Sequence, residues 1–200
     1  MFRSDLEGRT YDIASRNRNG LEEPKIENNP EIVKMIESAN NIKLSADWHL
    51  WKVNRQTRTY ERGDRLERTI EECKDLKEND LLIFMGDLVD DEFDDYQSVE
   101  KVLNTIKSNK IMILGNNDLF ENDFYERNFD IVVEGFEYED LIFTHFPILD
   151  LTEKVNLHGH IHNSAYYFPE RAQRNINIFT ESGDFMLLDD LQGEIERRRK

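Results

Sequence analysis

The sequence predicts an α/β fold in which two sheets pack face to face with helices outside. Three observations carry that expectation. From residue 41 short apolar runs alternate with amphipathic stretches, the first half reads βαβαβ, and the second half is mostly strand. Ile42-Lys43-Leu44-Ser45-Ala46 is the first strand and ends at Asp47. Residues 61–78 place Leu66, Ile70, Cys73 and Leu76 on one helical face. The unbroken run Leu81–Met85 has the length of a strand buried on both faces. A second amphipathic helix spans 96–107 through Tyr96, Val99, Leu103 and Ile106, and Ile111–Leu114 is again a buried strand. Further strands follow at Ile131–Val133, Leu141–Thr144 and Val155–His158, then at alternating Ile176, Ile178 and Thr180, and at Phe185–Leu188.

Residues 1–28 are polar and aperiodic, which predicts an extended arm or a poorly ordered leader. A short helix follows, with Asn29 as cap, Pro30 at its first position, and Ile32, Val33, Met35 and Ile36 as its apolar residues. The expected organisation is therefore an arm and short helix over residues 1–40 and one domain over 41–200. The composition, 38% apolar and 34% charged, would permit partial disorder, but 12 Phe, 7 Tyr and 2 Trp argue for a packed interior. A net charge of −16 repels phosphate backbones, so nucleic acid is disfavoured as a partner. Any phosphate substrate needs local help from a metal or a few placed cations. The longest apolar run, Leu81–Met85, is far too short to span a bilayer, and no apolar stretch follows Met1-Phe2-Arg3-Ser4-Asp5. A cytoplasmic protein without membrane contact is expected. The single cysteine, Cys73, excludes an internal disulfide and a thiolate zinc cage, and it reads as a small apolar residue of its helix stripe.

The chemistry-bearing residues stand at strand ends. The first strand ends in Asp47-Trp48-His49, the next buried strand in Gly86-Asp87, and the third in Gly115-Asn116-Asn117-Asp118. Leu141–Thr144 ends in His145, and Val155–His158 runs into Gly159-His160-Ile161-His162. Carboxyl ends of strands in an open α/β sheet converge on one crevice, so residues distant in sequence can share a site there. The two-residue step in Asp47/His49 and His160/His162 returns both side chains to one side of an extended backbone. Imidazoles, carboxylates and one amide oxygen together suit a pair of transition-metal ions such as manganese, iron or zinc better than calcium.

No single piece decides, but the ordered set resembles the calcineurin-like metallophosphoesterase family, in its small prokaryotic or phage-type members. That family's signature is D-x-H, then G-D, then G-N-H-[DE], a lone His, and G-H-x-H. The resemblance covers about residues 42–162 and implies a four-layer αββα sandwich of two mixed sheets flanked by helices, the metallophosphoesterase fold. It also implies two divalent transition-metal ions, manganese first, with iron, zinc or nickel as alternatives. One ion would be held by Asp47, His49, Asp87 and His162, the other by Asp87, Asn116, His145 and His160, with Asp87 bridging. A hydroxide shared by the two ions would attack phosphorus in line. His158 falls outside the signature and reads as a packed or supporting residue.

The departures from the signature are specific. Asn117 stands where the family has a His that binds phosphoryl oxygens and protonates the leaving group; an amide can donate a hydrogen bond to substrate but delivers no proton near neutral pH. Asp118 is read as the cap of a helix starting at Leu119, with Glu121 completing a capping box. The stretch Gly86-Asp87-Leu88-Val89-Asp90-Asp91 lacks the Arg-Gly that follows in the Ser/Thr protein phosphatases of the superfamily, which together with the small size argues against a protein phosphatase. The run Asp90, Asp91, Glu92, Asp94 and Asp95 is a solvated loop or, near the site's mouth, a barrier to long polyanions. Among the cations Lys52, Arg55, Arg58, Arg62 and Arg65, either Arg55 or Arg58 reaches back to clamp a substrate phosphate, or all are simply solvated. Trp48 and Trp51 read as buried support sooner than as platforms for a base, and Arg197-Arg198-Arg199-Lys200 as cations that relieve a helix dipole or as a frayed end. The expected protein is a metal-dependent phosphoesterase acting on a small phosphodiester or nucleotide. The alternatives are a nuclease, a catalytically weak binding scaffold of the same fold, and a metal-binding regulator.

Overall fold

Leu81–Met85 forms the central strand of a five-stranded sheet, and every one of its side chains is buried, which is why the run carries no polar residue. The computed structural model describes residues 24–52, 63–89, 95–162, 173–180 and 183–200. Within them the strands are β1 (Ile26–Glu27), β2 (Ile42–Ser45), β3 (Leu81–Met85), β4 (Asn109–Ile113), β5 (Ile131–Val133), β6 (Gly135–Tyr138), β7 (Leu141–Thr144), β8 (Val155–His158), β9 (Asn175–Asn177) and β10 (Met186–Leu187). The helices are α1 (Pro30–Ser38), α2 (Gly63–Asp75), α3 (Tyr96–Leu103), α4 (Asn122–Asn128) and α5 (Gln192–Arg199).

One sheet has the order β10-β2-β3-β4-β5, parallel from β2 to β5 with β10 antiparallel on β2. The other has the order β1-β6-β7-β8-β9, antiparallel between β6 and β7 and parallel elsewhere. Both are thus mixed sheets. Alternation along β3 divides the interior in two. Leu81, Ile83 and Met85 join Leu44, Ile111 and Ile113 against Phe136, Phe143, Val155 and Leu157 of the facing sheet. Leu82 and Phe84 turn the other way and pack with Cys73, Val99, Leu103, Phe124 and Tyr125 of α2, α3 and α4. The expected αββα architecture is present. Cys73 lies in that helix-side core as an apolar filler, and burial pushes its thiol pKa well up.

Helix α1 begins as the sequence predicts: Asn29 accepts from the Glu31 N–H at 3.0 Å and Pro30 takes the first position. Ile32 and Ile36 are buried in one cluster with Leu44 and Phe136, together with Ile195 of α5. Several boundaries differ from the sequence reading. Ile26 and Glu27, read as the end of an aperiodic arm, form a short edge strand parallel to β6. Strand β6 itself has no uninterrupted apolar run; Phe136 faces the core and stacks on Phe143 with ring centroids 4.6 Å apart. Helix α3 stops at Leu103 because the N–H groups of Thr105 and Ile106 turn to Val102 and Leu103 oxygens, a tighter turn that still buries Ile106. Helix α4 begins at Asn122, not at Leu119. At the C-terminus Arg197 and Arg198 pair with Glu194, and Arg199 pairs with Asp140. Among the described residues no helix is long and apolar enough to cross a membrane.

Candidate metal centre

The carboxyl ends of β2, β3, β4, β7 and β8 meet at one crevice, and seven side chains from five separate segments converge there. The backbone that delivers them is not the extended one expected. Asp47, His49, Asp87, His160 and His162 all have positive φ, between 42° and 66°. Non-glycine residues rarely adopt that region, so local strain of roughly 1 kcal/mol or more per residue is concentrated where the donors are. Alternation survives nonetheless, because the chain after β2 keeps bonding to the chain after β3. Asp47, His49 and Leu50 donate their N–H groups to the carbonyls of Gly86, Asp87 and Leu88. Asp47 and His49 therefore face the crevice, while Trp48 and Leu50 sink into the helix-side core. Trp48 lies beside Phe84 and Phe185 and donates its indole N–H to Ser45 Oγ at 2.7 Å, so it is buried support as the sequence suggests. Close approach demands glycine around the donors: a Cβ on Gly86 would sit 2.5 Å from His145 Nδ1, and one on Gly159 2.5 Å from Asp47 Oδ2.

Two groups of donors result, Asp47/His49/His162 and Asp87/His145/His160, each with its ligand atoms within 4.8 Å of one another. In the first group His49 Nε2 lies 3.0 Å from His162 Nε2, and His162 Nε2 lies 3.2 Å from Asp47 Oδ1. In the second, His145 Nδ1 is 2.8 Å from the Met85 carbonyl oxygen, so that nitrogen carries the hydrogen. Its Nε2 then presents a lone pair 3.2 Å from Asn116 Oδ1 and 3.5 Å from Asp87 Oδ1. Where these ring nitrogens carry no hydrogen, acceptors converging in this way repel unless a cation lies among them. The donor set of imidazole nitrogens and carboxylate and amide oxygens fits a metal ion in each group.

Titration follows the same crowding. Burial alone would raise Asp47, but its bond with His162 and the imidazoles of His145, His162 and His49 hold it below the usual carboxylate range. Burial pushes His49 down to about 3 and His160 down to about 4, so both imidazoles stay neutral and can donate lone pairs. For His145 burial is outweighed by Asp87 and Asp47, which raise it. Burial raises Asp87, and burial together with the Asp87 charge pushes Asp118 up to about 6.

The structure corrects the reading of Asp118. Its carboxylate does not cap a helix: α4 has Glu121 at its cap position without a side-chain bond. Asp118 is completely buried, and it accepts the backbone N–H groups of Asp87 at 2.8 Å, Leu88 at 2.9 Å and Gly115 at 2.7 Å. Those donors lie just past the ends of β3 and β4, where no sheet partner reaches them, and a buried carboxylate is a stronger acceptor than water at a surface cap. Asn117 turns towards Asp87: its amide donates to Asp87 Oδ2 at 2.7 Å and its backbone N–H to Oδ1 at 2.9 Å.

Sequence reasoning missed a set of supporting residues. Asn177 donates its amide to the His162 carbonyl at 2.6 Å. Asn156 and Asn175 both accept the Ile148 N–H and so fix the loop that follows His145. Phe179 stacks on His162 at 4.6 Å and Phe146 packs on His160 at 4.3 Å. A buried asparagine within a strand, such as Asn156 in β8, was the available signal. Arg55, Arg58 and Arg62 lie outside the described residues, as do Asp90 to Asp94 of the acidic run; Asp95 caps α3 through Ser98.

The family model for calcineurin-like phosphoesterases matches residues 41–197. The chain belongs to the calcineurin-like phosphoesterases. Among solved structures it is similar to a protein of unknown function from Aquifex aeolicus, at 18% identity and a TM-score of 0.60. That likeness covers 78% of this chain and 99% of the other, and it speaks for the fold. No curated protein matches the sequence. Membership of the calcineurin-like phosphoesterases implies a hydrolase of phosphoester bonds, and the two donor groups fit a metal-dependent one.

In this calcineurin-like phosphoesterase the fifth histidine stands apart from the donors. His158 is buried with its Nδ1 2.7 Å from the Gly159 oxygen, and burial pushes its pKa down to about 4. The unfolded chain would bind a proton there near pH 6.5 while the folded one does not, so stability present above pH 6.5 is lost as pH falls towards 4. The contribution is on the order of 3 kcal/mol. His158→Asn, whose side-chain amide stands where Nδ1 does and cannot titrate, is expected to flatten that fall by a similar amount. Urea unfolding of the metal-free protein at a series of pH values measures it, and an unchanged slope would refute the assignment.

Proposed function

We propose that this chain hydrolyses a small phosphodiester or a nucleotide at a centre holding two divalent transition-metal ions, with manganese the first candidate. The observation that carries the reading is the placement of Asp87 between the donor groups. Its Oδ2 lies 3.6 Å from His49 Nε2 and its Oδ1 3.5 Å from His145 Nε2, so one carboxylate faces an imidazole of each group. Asp47, His49, Asp87 and His162 would hold one ion, and Asp87, Asn116, His145 and His160 the other. When bound, such ions acidify a water nucleophile and neutralise charge on the phosphoryl oxygens. The chain's own part is to fix the donors: left-handed backbone aims them, buried asparagines anchor the loops, and Phe146 and Phe179 hold the planes of His160 and His162. The preference for a small substrate rests on charge, since −16 over the chain disfavours a long polyanion.

Hydrolysis of bis-p-nitrophenyl phosphate and p-nitrophenyl phosphate with added manganese tests the reading. Turnover should require manganese and favour the diester. No turnover of either ester by protein shown to hold two ions per chain would sink the enzymatic assignment and favour a binding module. A preference for the monoester would sink the diesterase part alone.

A further inference from the structure

Asp87 needs more than its place in the chain to serve two ion sites. Its backbone is fixed by Asp118, which accepts the Asp87 and Leu88 N–H groups, but that leaves the carboxylate free to turn about its own Cβ–Cγ bond. A turn of that plane would take both oxygens away from the pose in which each faces a different imidazole. The two bonds from Asn117 prevent it. The Asn117 backbone N–H holds Oδ1, the oxygen facing His145, and the side-chain amide holds Oδ2, the oxygen facing His49. A carboxylate held at both oxygens has one plane. Gly115 leaves the room this pose requires, since a Cβ there would collide with Asp87 Oδ1.

We infer that Asn117 is a positioning residue that locks the Asp87 carboxylate across the two donor groups, so that pairing of the two ions depends on its side-chain amide. The inference rests on the two-ion reading above and deepens it. Asn117 is thereby committed to the protein and not to the incoming phosphate. Its effect is on the ion facing His49, because only the bond to Oδ2 comes from the side chain; the backbone bond to Oδ1 survives substitution.

The experiment is a manganese titration of metal-free protein by calorimetry, with electron paramagnetic resonance to detect exchange coupling between the ions. Wild type should take up two ions per chain and give a coupled signal. Asn117→Leu keeps the approximate shape of the amide and removes its donor. It should bind its first ion within about threefold of wild type and its second about 10–100-fold more weakly, with the coupled signal lost at two equivalents. Asn117→Ala, read against circular dichroism, replaces it if the leucine variant does not fold. Second-ion affinity within about threefold of wild type and an intact coupled signal in the folded variant would overturn the inference while leaving the two-ion reading in place. Wild type that takes up fewer than two ions overturns the two-ion reading, and the inference with it.

Discussion

Asp87→Asn is expected to lower phosphoester turnover by about 10³-fold or more in saturating manganese, while the metal-free variant melts above the metal-free wild type. The first effect follows from position. Asp87 is the carboxylate whose two oxygens approach an imidazole of each donor group, so it would ligate both ions. Losing its charge removes several kcal/mol of the cation binding on which transition-state charge stabilisation depends. The second effect has a different origin. Without ions, the carboxylates of Asp87 and Asp118 are both buried: burial raises Asp87, with the Asp47 charge adding to it and His145 offsetting part, and burial and the Asp87 charge raise Asp118. An amide at 87 removes that repulsion without changing shape, and Asn117 can turn its own amide over to keep a bond. A gain of about 1 kcal/mol, or roughly 2–4 °C in Tm, is expected. Calorimetry on chelator-treated protein, beside the ester assay, reads both. A variant that loses activity and also melts lower would show that Asp87 is needed for the fold itself.

The sequence made the site legible in one respect and hid it in another. Residue types and their order were visible, because metal donors at strand ends are a linear pattern and parallel strands bring their carboxyl ends together. Asp47, His49, Asp87, Asn116, His145, His160 and His162 accordingly meet at one crevice. What could not be read was the backbone that presents them. Positive φ at Asp47 or His160 opposes local propensity, and it is imposed by tertiary contacts such as the Asp47 N–H bond to Gly86 and the His160 N–H bonds to Asp47. A two-residue step suggests extended chain, and only the packed structure overrides it.

The fold shows the same division. Strands buried on both faces, such as Leu81–Met85, announce themselves by composition, and Asn29-Pro30 announces a helix start. Strand β6 does not, because Gly135 and Glu137 interrupt its apolar residues, and β1 is two residues long and defined entirely by its partner. Asp118 is the instructive failure. Asp followed three residues later by Glu121 has the spacing of a capping box, and local pattern has no means of knowing that N–H groups of the turn after β3, with that of Gly115 in its own turn, need an acceptor more.

That competition yields a second large effect. Asp118→Ala leaves the N–H groups of Asp87, Leu88 and Gly115 buried without an acceptor. Each such donor costs about 1–3 kcal/mol, and removal of a buried carboxylate whose pKa is raised to about 6 returns part of that. A net loss of about 3–5 kcal/mol is expected by urea unfolding. The magnitude discriminates between the two roles, because loss of a helix cap costs about 1 kcal/mol. Asp118→Asn should fall between, since one amide oxygen remains to accept while the amide nitrogen confronts an N–H. The same substitution reaches the metal centre through the backbone: Asp87 and Asn116 lie on the two turns that Asp118 ties together, so folded Asp118→Asn should bind manganese about 10–100-fold more weakly than wild type. A loss near 1 kcal/mol with unchanged manganese affinity would return Asp118 to the role of a surface cap.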